Sequence, residues 1–466
     1  MLNQASKELI DQYKEIFNSK LVAMGNDIEA VKSYKIHGRV ISALGVVLVA
    51  YLPDAKIGDL CMIYSQKSKF ELYAEVVAID GHQVKLLPFG STANISHNCR
   101  VYLTNENFCI RAGEFLLGKI VDGFGSISGS LVEEQSSEQN SEQSFVPDGK
   151  LLPIMASAPS PLDRPLINDV LTTGVAALDL FTTCGMGQRL AIFAGPGMGK
   201  TTLMGMILRN AKVDVLVVAL IGERGREVRE FIDLELNDDL RRRCVLVVST
   251  SDRPPVEQVK CAYVAQTIAE YFRGQGKNVI LFVDSITRFA RAQREIGLSA
   301  GEPLARGGFP PSVFLSFPRL MERAGNTPEG SITAFYTVLM EGDDFAKDPV
   351  SDEVKSIVDG HIILSRKLAE RSQFPAVDLQ MSLSRVADRI ISKEHLEAAR
   401  HIRLLLAKYH ELEFLIRVGE YREGQDALAD EAIRKFPQIN QLVKQSQIDN
   451  PAYKDLVKKL LALAKH

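Results

Sequence analysis

The sequence predicts an α/β protein with a parallel-sheet core, preceded by a small β-barrel domain and followed by a helical domain. Three observations support this prediction. The length of 466 residues is sufficient for about three domains of ~100–200 residues each. After Pro165, strand-like apolar runs alternate with longer helical periodicities, as in α/β folds. From Ile390 onward the strand signals end, and apolar residues recur only at helical spacing.

The composition excludes several classes of protein. With 46% apolar and 24% charged residues, the chain is neither a disordered protein nor a collagen or disulfide scaffold. The net charge of -3 provides no global basic field for nucleic acid or anionic lipid, so any polyanion must bind at a local site. The six cysteines are scattered without a C-x-x-C pair, which favours a reducing cytosol over a metal cluster or a disulfide framework.

Targeting and membrane signals are weak. The N-terminus has no basic region followed by an apolar one, so no secretory signal is expected. The most apolar stretches, 40–52 and 213–221, are too short to span a bilayer as helices. Any contact with a membrane is therefore expected to be peripheral.

The first third of the chain contains three distinct segments. Within residues 1–34, apolar residues at helical spacing over 6–20 predict a short amphipathic helix that covers either its own domain or a partner. Residues 35–112 consist of short runs of Val, Ile, Leu and Tyr broken by glycine and proline, a spacing typical of a small all-β sandwich or barrel, and we expect a β-barrel domain there. Residues 131–149 are rich in Glu, Gln and Ser, and we expect a mobile surface insertion there without an assigned function.

The predicted core spans residues 113–388, and the helical C-terminal domain spans residues 389–466. The core strands are continuous apolar runs without alternation, as strands buried on both faces of a parallel sheet require. In the C-terminal domain, apolar residues from Ile402 to Ile416 follow a helical period. The predicted core strands are 189–194, 215–221, 245–248, 279–283, 331–339 and 361–364.

A glycine-rich segment follows the first of these strands. Residues 194–202 read Ala-Gly-Pro-Gly-Met-Gly-Lys-Thr-Thr and precede a helical run, which is the context of a P-loop. Glycines let main-chain N–H groups face bound phosphates, Lys200 reaches the β and γ oxygens, and the Thr201 hydroxyl binds Mg²⁺. Ala194 stands at the position of the motif's first glycine. The predicted nucleotide-binding residues are Gly195, Pro196, Gly197, Met198, Gly199, Lys200, Thr201 and Thr202.

Two acidic residues follow other core strands. Asp284 ends the fourth predicted strand, which is the Walker B arrangement of a second carboxylate that holds Mg²⁺. Glu223 follows the second predicted strand, at the sheet edge where open α/β folds bind ligands, and it is the candidate catalytic base. From spacing alone, its position is equally compatible with a solvated charge cluster at 223–227.

Several longer segments form a recognisable pattern. They are 222–228 (Gly-Glu-Arg-Gly-Arg-Glu-Val), 284–295 (Asp-Ser-Ile-Thr-Arg-Phe-Ala-Arg-Ala-Gln-Arg-Glu), 301–303 (Gly-Glu-Pro), 307–313 (Gly-Gly-Phe-Pro-Pro-Ser-Val), 320–325 (Leu-Met-Glu-Arg-Ala-Gly), 359–365 (Asp-Gly-His-Ile-Ile-Leu-Ser), 384–386 (Ser-Arg-Val) and 419–426 (Gly-Glu-Tyr-Arg-Glu-Gly-Gln-Asp). In this order they closely resemble the type III secretion ATPases, which are relatives of the flagellar export ATPase and of the catalytic subunit of F-type ATP synthase. The resemblance covers nearly the whole chain and implies a RecA-like core.

The resemblance implies roles for charged residues. Glu223 matches the family's catalytic glutamate, and Arg224 lies beside it. Arg288 matches the arginine that contacts the γ-phosphate, and Lys200 is the P-loop lysine. Arg385 matches the arginine finger that reaches the nucleotide of the neighbouring subunit. From spacing alone, a buried structural arginine is equally compatible with that position.

The implied cofactors are ATP and Mg²⁺. Phe374 and Pro375 match the pair that stacks on the adenine base, and Thr201 and Asp284 are the implied metal-holding residues. The chain departs from the family at two places. Its P-loop carries a proline and a methionine where relatives commonly have small or branched residues, and the insertion at 131–149 lengthens a usually short connection.

The resemblance also implies a function and its partners. A homohexamer would hydrolyse Mg-ATP and thereby release chaperones from secreted proteins, unfold these proteins and export them. The implied partners are further copies of the chain, the central stalk and stator proteins of the secretion apparatus, secretion chaperones, exported proteins and the inner-membrane export gate, with no nucleic acid. The implied location is cytoplasmic, peripheral at the cytoplasmic face of the bacterial inner membrane.

Three other functions compete with this one. A flagellar export ATPase has the same chemistry, although the segments 287–298 and 419–426 favour the virulence-type system. A non-catalytic nucleotide-binding ring subunit would lack the carboxylate of Glu223. An RNA-translocating hexameric motor predicts a basic or aromatic surface on the N-terminal domain. Aromatic residues there, among them Tyr51 and Tyr73, fall mostly in apolar runs, which favours core packing.

Overall fold

The computed structural model confirms the predicted fold class. A barrel, a large sheet flanked by helices and a C-terminal group of helices follow one another along the chain. The domain boundaries given above remain predictions. The helix expected at 6–20 and most of the insertion expected at 131–149 lie outside the described residues. The residues that the structure describes are 37–65, 70–104, 106–132, 148–340 and 348–465.

The N-terminal domain is a closed barrel of six antiparallel strands. Its interior is apolar, and Leu48, Ile63 and Leu86 are fully buried. The expectation of core packing is wrong for Tyr51 and Tyr73, which are 44% and 51% exposed, because alternate residues of each strand face away from the barrel interior. The strands are β1 (His37–Leu44), β2 (Val47–Tyr51), β3 (Leu60–Ser65), β4 (Phe70–Asp80), β5 (Gln83–Pro88) and β6 (Arg100–Leu103). Their order around the barrel is β1-β2-β5-β4-β3-β6.

A ten-stranded sheet forms the core of the second part. The remaining strands of the described chain are β7 (Cys109–Ala112), β8 (Lys119–Asp122), β9 (Ile127–Ser130), β10 (Lys150–Pro153), β11 (Val170–Leu171), β12 (Cys184–Gly185), β13 (Arg189–Ala194), β14 (Val215–Ile221), β15 (Cys244–Ser249), β16 (Asn278–Asp284), β17 (Gly325–Asn326), β18 (Ser331–Leu339), β19 (Gly360–Ile363) and β20 (Leu383–Ser384). The sheet order is β20-β19-β13-β18-β16-β14-β15-β8-β9, and β17 pairs with β18. All ladders from β19 to β8 are parallel, as the uninterrupted apolar runs predicted.

Helices cover the sheet and form the C-terminal domain. The long C-terminal helix begins at a Ser392 cap, whose hydroxyl accepts a hydrogen bond from the main-chain N–H of His395, and it ends at Gly419, which has a positive φ of 75°. The helices are Ala176–Phe181, Lys200–Asn210, Gly225–Glu235, Asp238–Arg242, Pro255–Gly274, Ile286–Ala300, Pro311–Met321, Pro349–Ile357, Arg366–Glu370, Ala387–Ile390, Lys393–Val418, Ala427–Val443 and Tyr453–Ala464. Short 3₁₀ turns lie at Glu114–Leu116, Pro161–Asp163 and Arg306–Gly308. In the described part of the chain, no helix is both long and apolar enough to cross a bilayer.

A buried lysine joins the barrel to the core. Lys260 lies in the helix Pro255–Gly274, is 5% exposed and forms an ion pair with Glu75 of β4. Its Nζ lies 5.7 Å and 5.8 Å from the ring centroids of Phe89 and Phe108. The charge is thus paired and packed between aromatic faces at the junction of the two parts, as a buried charge requires.

The sheet order brings three predicted site segments together. The P-loop follows β13, Glu223 follows β14 and Asp284 ends β16. Because β13, β18, β16 and β14 are neighbours and parallel, their carboxyl ends lie at one edge of the sheet. Ligands of open α/β sheets bind at this edge.

Candidate active site

The P-loop adopts the backbone that its glycines permit. Gly197 and Gly199 have φ values of 75° and 85°, in the left-handed region that side chains other than glycine rarely adopt. The helix Lys200–Asn210 begins directly after Gly199, so its free N–H groups face the loop. Met198 is 4% exposed, and its sulfur accepts a hydrogen bond from the Gly195 N–H at 3.2 Å. The methionine that departs from the family pattern therefore packs inside the loop.

Four charged side chains form one network beside the P-loop. Lys200 Nζ lies 2.5 Å from Asp284 Oδ1 and 3.6 Å from Glu223 Oε1. Arg288 Nη2 donates to Glu223 Oε2 at 3.0 Å. Glu223 and Asp284 are 7% and 4% exposed, and buried carboxylates of this kind require charged partners. The structure thus brings together four of the predicted site residues from three segments of the chain.

A threonine that was not predicted completes the surroundings of Asp284. The Thr337 hydroxyl donates to Asp284 Oδ1 at 2.6 Å. Thr337 lies in β18, and the register that pairs Val283 with Tyr336 places it beside Asp284. In the sequence, Thr337 is marked only as a polar residue within an apolar run. That it lies beside Asp284 follows from the order of the strands in the sheet.

The network shifts the pKa values of its members. Burial raises the pKa of Glu223 to about 7, a hydrogen bond to Glu227 acts in the same direction, and Lys200 opposes the rise. That hydrogen bond lowers the pKa of Glu227. Burial alone lowers the pKa of Lys200, but the charges of Asp284 and Glu223 outweigh it and raise the pKa above its ordinary value. Lys200 is therefore a cation at neutral pH.

The network lines a small cavity with room for phosphate groups. Its volume is about 270 Å³, and its lining includes Lys200, Thr201, Glu223, Glu227 and Asp284. One hydroxyl and a few carboxylates fit Mg²⁺, which keeps several waters and binds through one or two protein groups together with substrate phosphates. In the described residues, no group of three or more His, Cys, Asp or Glu side chains forms a cage for a metal ion. The donor set thus suits a metal that arrives with a nucleotide.

A second cleft opens on the other side of the P-loop. It measures about 710 Å³ and is lined by Gly199, Phe374, Pro375 and the C-terminal residues 444–448. The ring of Phe374 is 42% exposed and lies near Gly199, where an added Cβ would be 3.7 Å from it. The peptide bond between Phe374 and Pro375 is cis. The segment 444–448 was not predicted to belong to the site, because it is distant in sequence and carries no motif.

Two predicted site residues lie away from this network. Arg224 is adjacent to Glu223 in sequence, but its side chain is 73% exposed and its Nη1 lies 3.7 Å from Glu227 Oε1. Arg385 follows β20 and is exposed, which excludes a buried structural arginine. Its main-chain N–H donates to Asp359 O, beside the start of β19 and thus at the amino edge of the sheet. Within the described residues, the Arg385 guanidinium has no hydrogen bond or ion pair.

Three protein-family profiles match successive parts of the chain. The beta-barrel domain of the ATP synthase alpha/beta family matches residues 40–105, and the nucleotide-binding domain of the same family matches residues 174–384. The T3SS EscN ATPase C-terminal domain matches residues 391–462. The matches follow the barrel, the sheet and the C-terminal helices of the fold.

Curated relatives match almost the whole chain. The type 3 secretion system ATPase of Xanthomonas euvesicatoria is 46% identical over 92% of this chain and 94% of its own length. The chain belongs to the type III secretion ATPase family. Within this family, the SPI-2 type 3 secretion system ATPase of Salmonella typhimurium is 45% identical over 91% of this chain and 94% of its own. The flagellum-specific ATP synthase of Bacillus subtilis is also similar, with 44% identity over 91% of this chain and 94% of its own.

Solved structures of a type III secretion ATPase share the fold. The assembled ATPase EscN from enteropathogenic E. coli aligns with a TM-score of 0.84 and 46% sequence identity, over 92% of this chain and 100% of that chain. EscN in complex with its central stalk EscO aligns with a TM-score of 0.81 at the same identity and coverage. These comparisons confirm the family inferred from the sequence motifs and the prediction that the protein is an ATPase.

Proposed function

We propose that this type III secretion ATPase hydrolyses Mg-ATP at sites between the subunits of a homohexamer and thereby drives protein export. The observation that carries the proposal is the buried network of Lys200, Glu223, Asp284 and Arg288 at the carboxyl edge of the sheet. A cation, a carboxyl group of raised pKa and a second carboxylate line one small cavity, which supports the proposal. Phosphoryl transfer requires this combination of positioning and charge stabilisation.

Each residue of the P-loop side has a distinct task. The main-chain N–H groups of residues 195–202 and the Lys200 ammonium hold the β- and γ-phosphates. Thr201 and Asp284 would hold Mg²⁺, which would neutralise charge on the phosphate oxygens. Thr337 fixes the orientation of Asp284 through its hydroxyl. Met198 and Gly195 keep the loop in shape through their hydrogen bond.

Glu223 and Arg288 act on the attacking water and on the γ-phosphate. Glu223 orients the water and accepts its proton, so it must be ionised before the reaction begins. Arg288 holds Glu223 through Nη2 and directs the rest of its guanidinium at the phosphate. Its Nε is buried and has no hydrogen-bond partner in the described part of the chain, which supports a role toward a ligand. Arg224 lies on the outer side of this pair and contributes positive charge at the mouth of the site.

Arg385 acts on the nucleotide of a neighbouring subunit. It lies at the amino edge of the sheet, whereas the P-loop of the same chain lies at the carboxyl edge. Its exposed guanidinium is available to a second copy. Arginine fingers supplied in trans stabilise the charge that develops on the transferred phosphate. The observation that EscN has been seen as an assembled ATPase supports this arrangement.

The base of ATP lies in the cleft that contains Phe374 and Pro375. The half-exposed Phe374 ring presents an aromatic face in the cleft that the P-loop residues Gly197 and Gly199 also line. Stacking on this face is the physical basis of the assignment. Pro375 lines the same cleft beside it.

The energy of hydrolysis serves the release of chaperones and the unfolding and export of secreted proteins. The partners are the central stalk, as in the complex of EscN with EscO, the stator proteins, the chaperones with their cargo, and the export gate. The protein acts in the cytoplasm, peripherally at the inner membrane. A flagellar system is the second candidate, because the Bacillus subtilis flagellum-specific ATP synthase is 44% identical to this chain. The genes that flank this one decide between the two systems, since the chemistry is the same.

The proposal is tested by phosphate release at increasing protein concentration. Each complete site needs two chains, so the specific activity should rise with concentration, in parallel with assembly followed by analytical ultracentrifugation. A specific activity that stays constant in a preparation that remains monomeric throughout would contradict sites between subunits. Absence of any Mg-dependent phosphate release from assembled protein would contradict the proposed function itself.

A further inference from the structure

A buried glutamine links the C-terminal domain to the cleft beside the P-loop. Gln445 follows the helix Ala427–Val443 and is only 8% exposed, although it is polar and lies in a loop. Its main-chain N–H donates to the carbonyl of Phe374 at 3.0 Å. Both residues line the same cleft. The position of the Phe374 main chain therefore depends on where residue 445 lies.

The side chain of Gln445 fixes that position through three hydrogen bonds. Its Oε1 accepts from the Ala176 N–H at 2.9 Å. Its Nε2 donates to Gly174 O at 2.7 Å and to Asp449 O at 2.9 Å. The partners comprise one donor opposite the oxygen and two acceptors opposite the nitrogen, so only one orientation of the amide satisfies them. A buried amide held in this way is rigid.

We propose that Gln445 is a positioning residue for the base of the nucleotide. Its amide anchors residue 445 to the start of the helix Ala176–Phe181, and its main-chain N–H in turn holds Phe374 along the cleft. The inference rests on the proposed function, because it takes the Phe374 ring as the surface on which adenine stacks. These contacts connect the C-terminal domain to the proposed base site and include no residue on the phosphate side of the P-loop.

This geometry distinguishes a positioning role from general support of the fold. The Gln445 side chain touches neither the charged network nor the cavity of Lys200 and Glu223. Its loss should therefore weaken the binding of the base and leave the binding of the phosphates intact. A purely structural role would weaken both or neither.

The test compares a ligand that has a base with one that lacks it. For Gln445→Leu we expect the KM for Mg-ATP to rise about five- to twentyfold, within the range that loss of one base-stacking surface produces. The inhibition constant of Mg-tripolyphosphate, which has the phosphates without the base, should stay within about twofold of the wild-type value. Gln441→Leu is the matched control, since Gln441 is exposed and lies one turn earlier in the chain. It should change neither constant.

A second variant keeps the test decisive where Gln445→Leu does not fold. Ala176→Pro removes the N–H that donates to Gln445 Oε1, at the first position of a helix, where proline is tolerated. Val175, the preceding residue, is already extended, as a residue before proline must be. We expect a smaller rise in the KM for Mg-ATP, about two- to fivefold, again without a change for tripolyphosphate.

The outcomes separate the inference from the function on which it rests. Phe374→Ala should raise the KM for Mg-ATP at least as much as Gln445→Leu does. If Phe374→Ala has no effect, the base site is misassigned and the inference is overturned with it. If Phe374→Ala raises the KM and the folded Gln445 and Ala176 variants do not, only the inference is overturned. Equal weakening of ATP and tripolyphosphate by Gln445→Leu would likewise overturn it.

Discussion

The predicted site residues at the two edges of the central sheet differ in burial and in pairing. At the carboxyl edge, Lys200, Glu223, Asp284 and Arg288 are largely buried and bonded to one another. At the amino edge, Arg385 is exposed, and in the described part of the chain its guanidinium has no partner. One chain thus holds a bonded network of predicted site residues at one edge and the exposed guanidinium of Arg385 at the other.

The difference follows from the cost of burying charge. A buried ion must be paired within its own chain, because an unpaired one destabilises the fold by several kcal/mol. An exposed arginine carries no such requirement, since water solvates it. Folding therefore fixes the carboxyl-edge network in advance and leaves Arg385 available to another copy. The predictions that follow test this division of tasks.

The largest effect is expected at the carboxyl edge. Lys200→Ala removes the cation that holds the phosphates, so ATP turnover should fall to the background of a phosphate-release assay. The secondary structure measured by circular dichroism should persist, because Asp284 keeps its hydrogen bond to Thr337 and Glu223 keeps Arg288, but the melting temperature should fall, because buried Asp284 loses its charged partner. Lys212→Ala, an exposed lysine beyond the same helix, serves as the control and should retain full activity. Wild-type turnover in Lys200→Ala would remove the P-loop from the proposed mechanism.

Arg385→Ala tests the other edge. Nucleotide should still bind, while kcat falls by about three to five orders of magnitude, as expected when an arginine finger is lost. Binding of a fluorescent nucleotide and single-turnover phosphate release measure the two effects separately. Arg389→Ala, also exposed and one turn further along the chain, is the matched control and should have little effect on kcat.

Mixing two inactive variants decides whether Arg385 acts in trans. An Arg385→Ala chain keeps its own Lys200 and receives Arg385 from a Lys200→Ala neighbour, so a mixed assembly contains some complete sites. We therefore expect partial recovery of activity on mixing. Co-assembled chains that stay as inactive as either parent, with a nucleotide photoreactive at its γ-phosphate that labels only the chain holding the P-loop, would count against the trans assignment.

Glu223→Gln should have a smaller effect than the loss of Lys200. The amide keeps the size of the side chain but cannot accept a proton, so kcat should fall by about two to four orders of magnitude with Mg-ATP binding retained. Isothermal titration with a non-hydrolysable analogue measures the binding. A parallel loss of binding would instead show that Glu223 serves the structure of the site.

The pH dependence of activity should reveal the raised pKa of Glu223. Lys200, Glu227, Asp284 and Arg288 face this carboxyl group, and its pKa is raised to about 7 by burial and by the hydrogen bond to Glu227. The ionised form is the active base, so kcat/KM should fall about tenfold per pH unit as the pH drops below about 7. Initial rates measured from pH 5.5 to 9, a range of about three and a half pH units, cover this decrease in kcat/KM.

Glu227→Gln should shift the acid side of the pH–activity profile slightly to lower pH. The hydrogen bond to Glu227 contributes to the raised pKa of Glu223. An amide at position 227 removes the carboxylate from this bond, so the pKa of Glu223 should fall and the acid side of the pH profile should shift about one unit to lower pH. If the acid side of the profile stays in place or moves to higher pH, Glu227 does not raise the pKa of Glu223.

The carboxyl-edge network was largely predictable from the sequence. Buried parallel strands are continuous apolar runs, so the bounds of β13, β14 and β18 agree with the predicted runs. The motifs after these strands then locate Lys200 and Glu223, because parallel strands end at a common edge. These predictions succeed because the local sequence pattern, an apolar run followed by a motif, agrees with the place of that strand in the fold.

The features that were missed depend on long-range packing. β8 lies before the insertion in sequence, yet it pairs with β15 in the sheet. Thr337 becomes a partner of Asp284 only because β18 lies next to β16. Gln445 reaches the cleft from the C-terminal domain. In each case the two partners are distant in sequence, and the residues next to either partner in the chain do not indicate the contact.

The separation of the P-loop from Arg385 also determines how copies can be arranged. A contact that joins the two edges is heterologous, because it pairs unlike faces of two chains. An open row of such chains leaves one P-loop and one arginine unused at its ends, so two chains complete a single site. Only closure into a ring completes as many sites as there are chains. Activity per chain therefore distinguishes a closed ring from an open arc of the same protein, without any image of either.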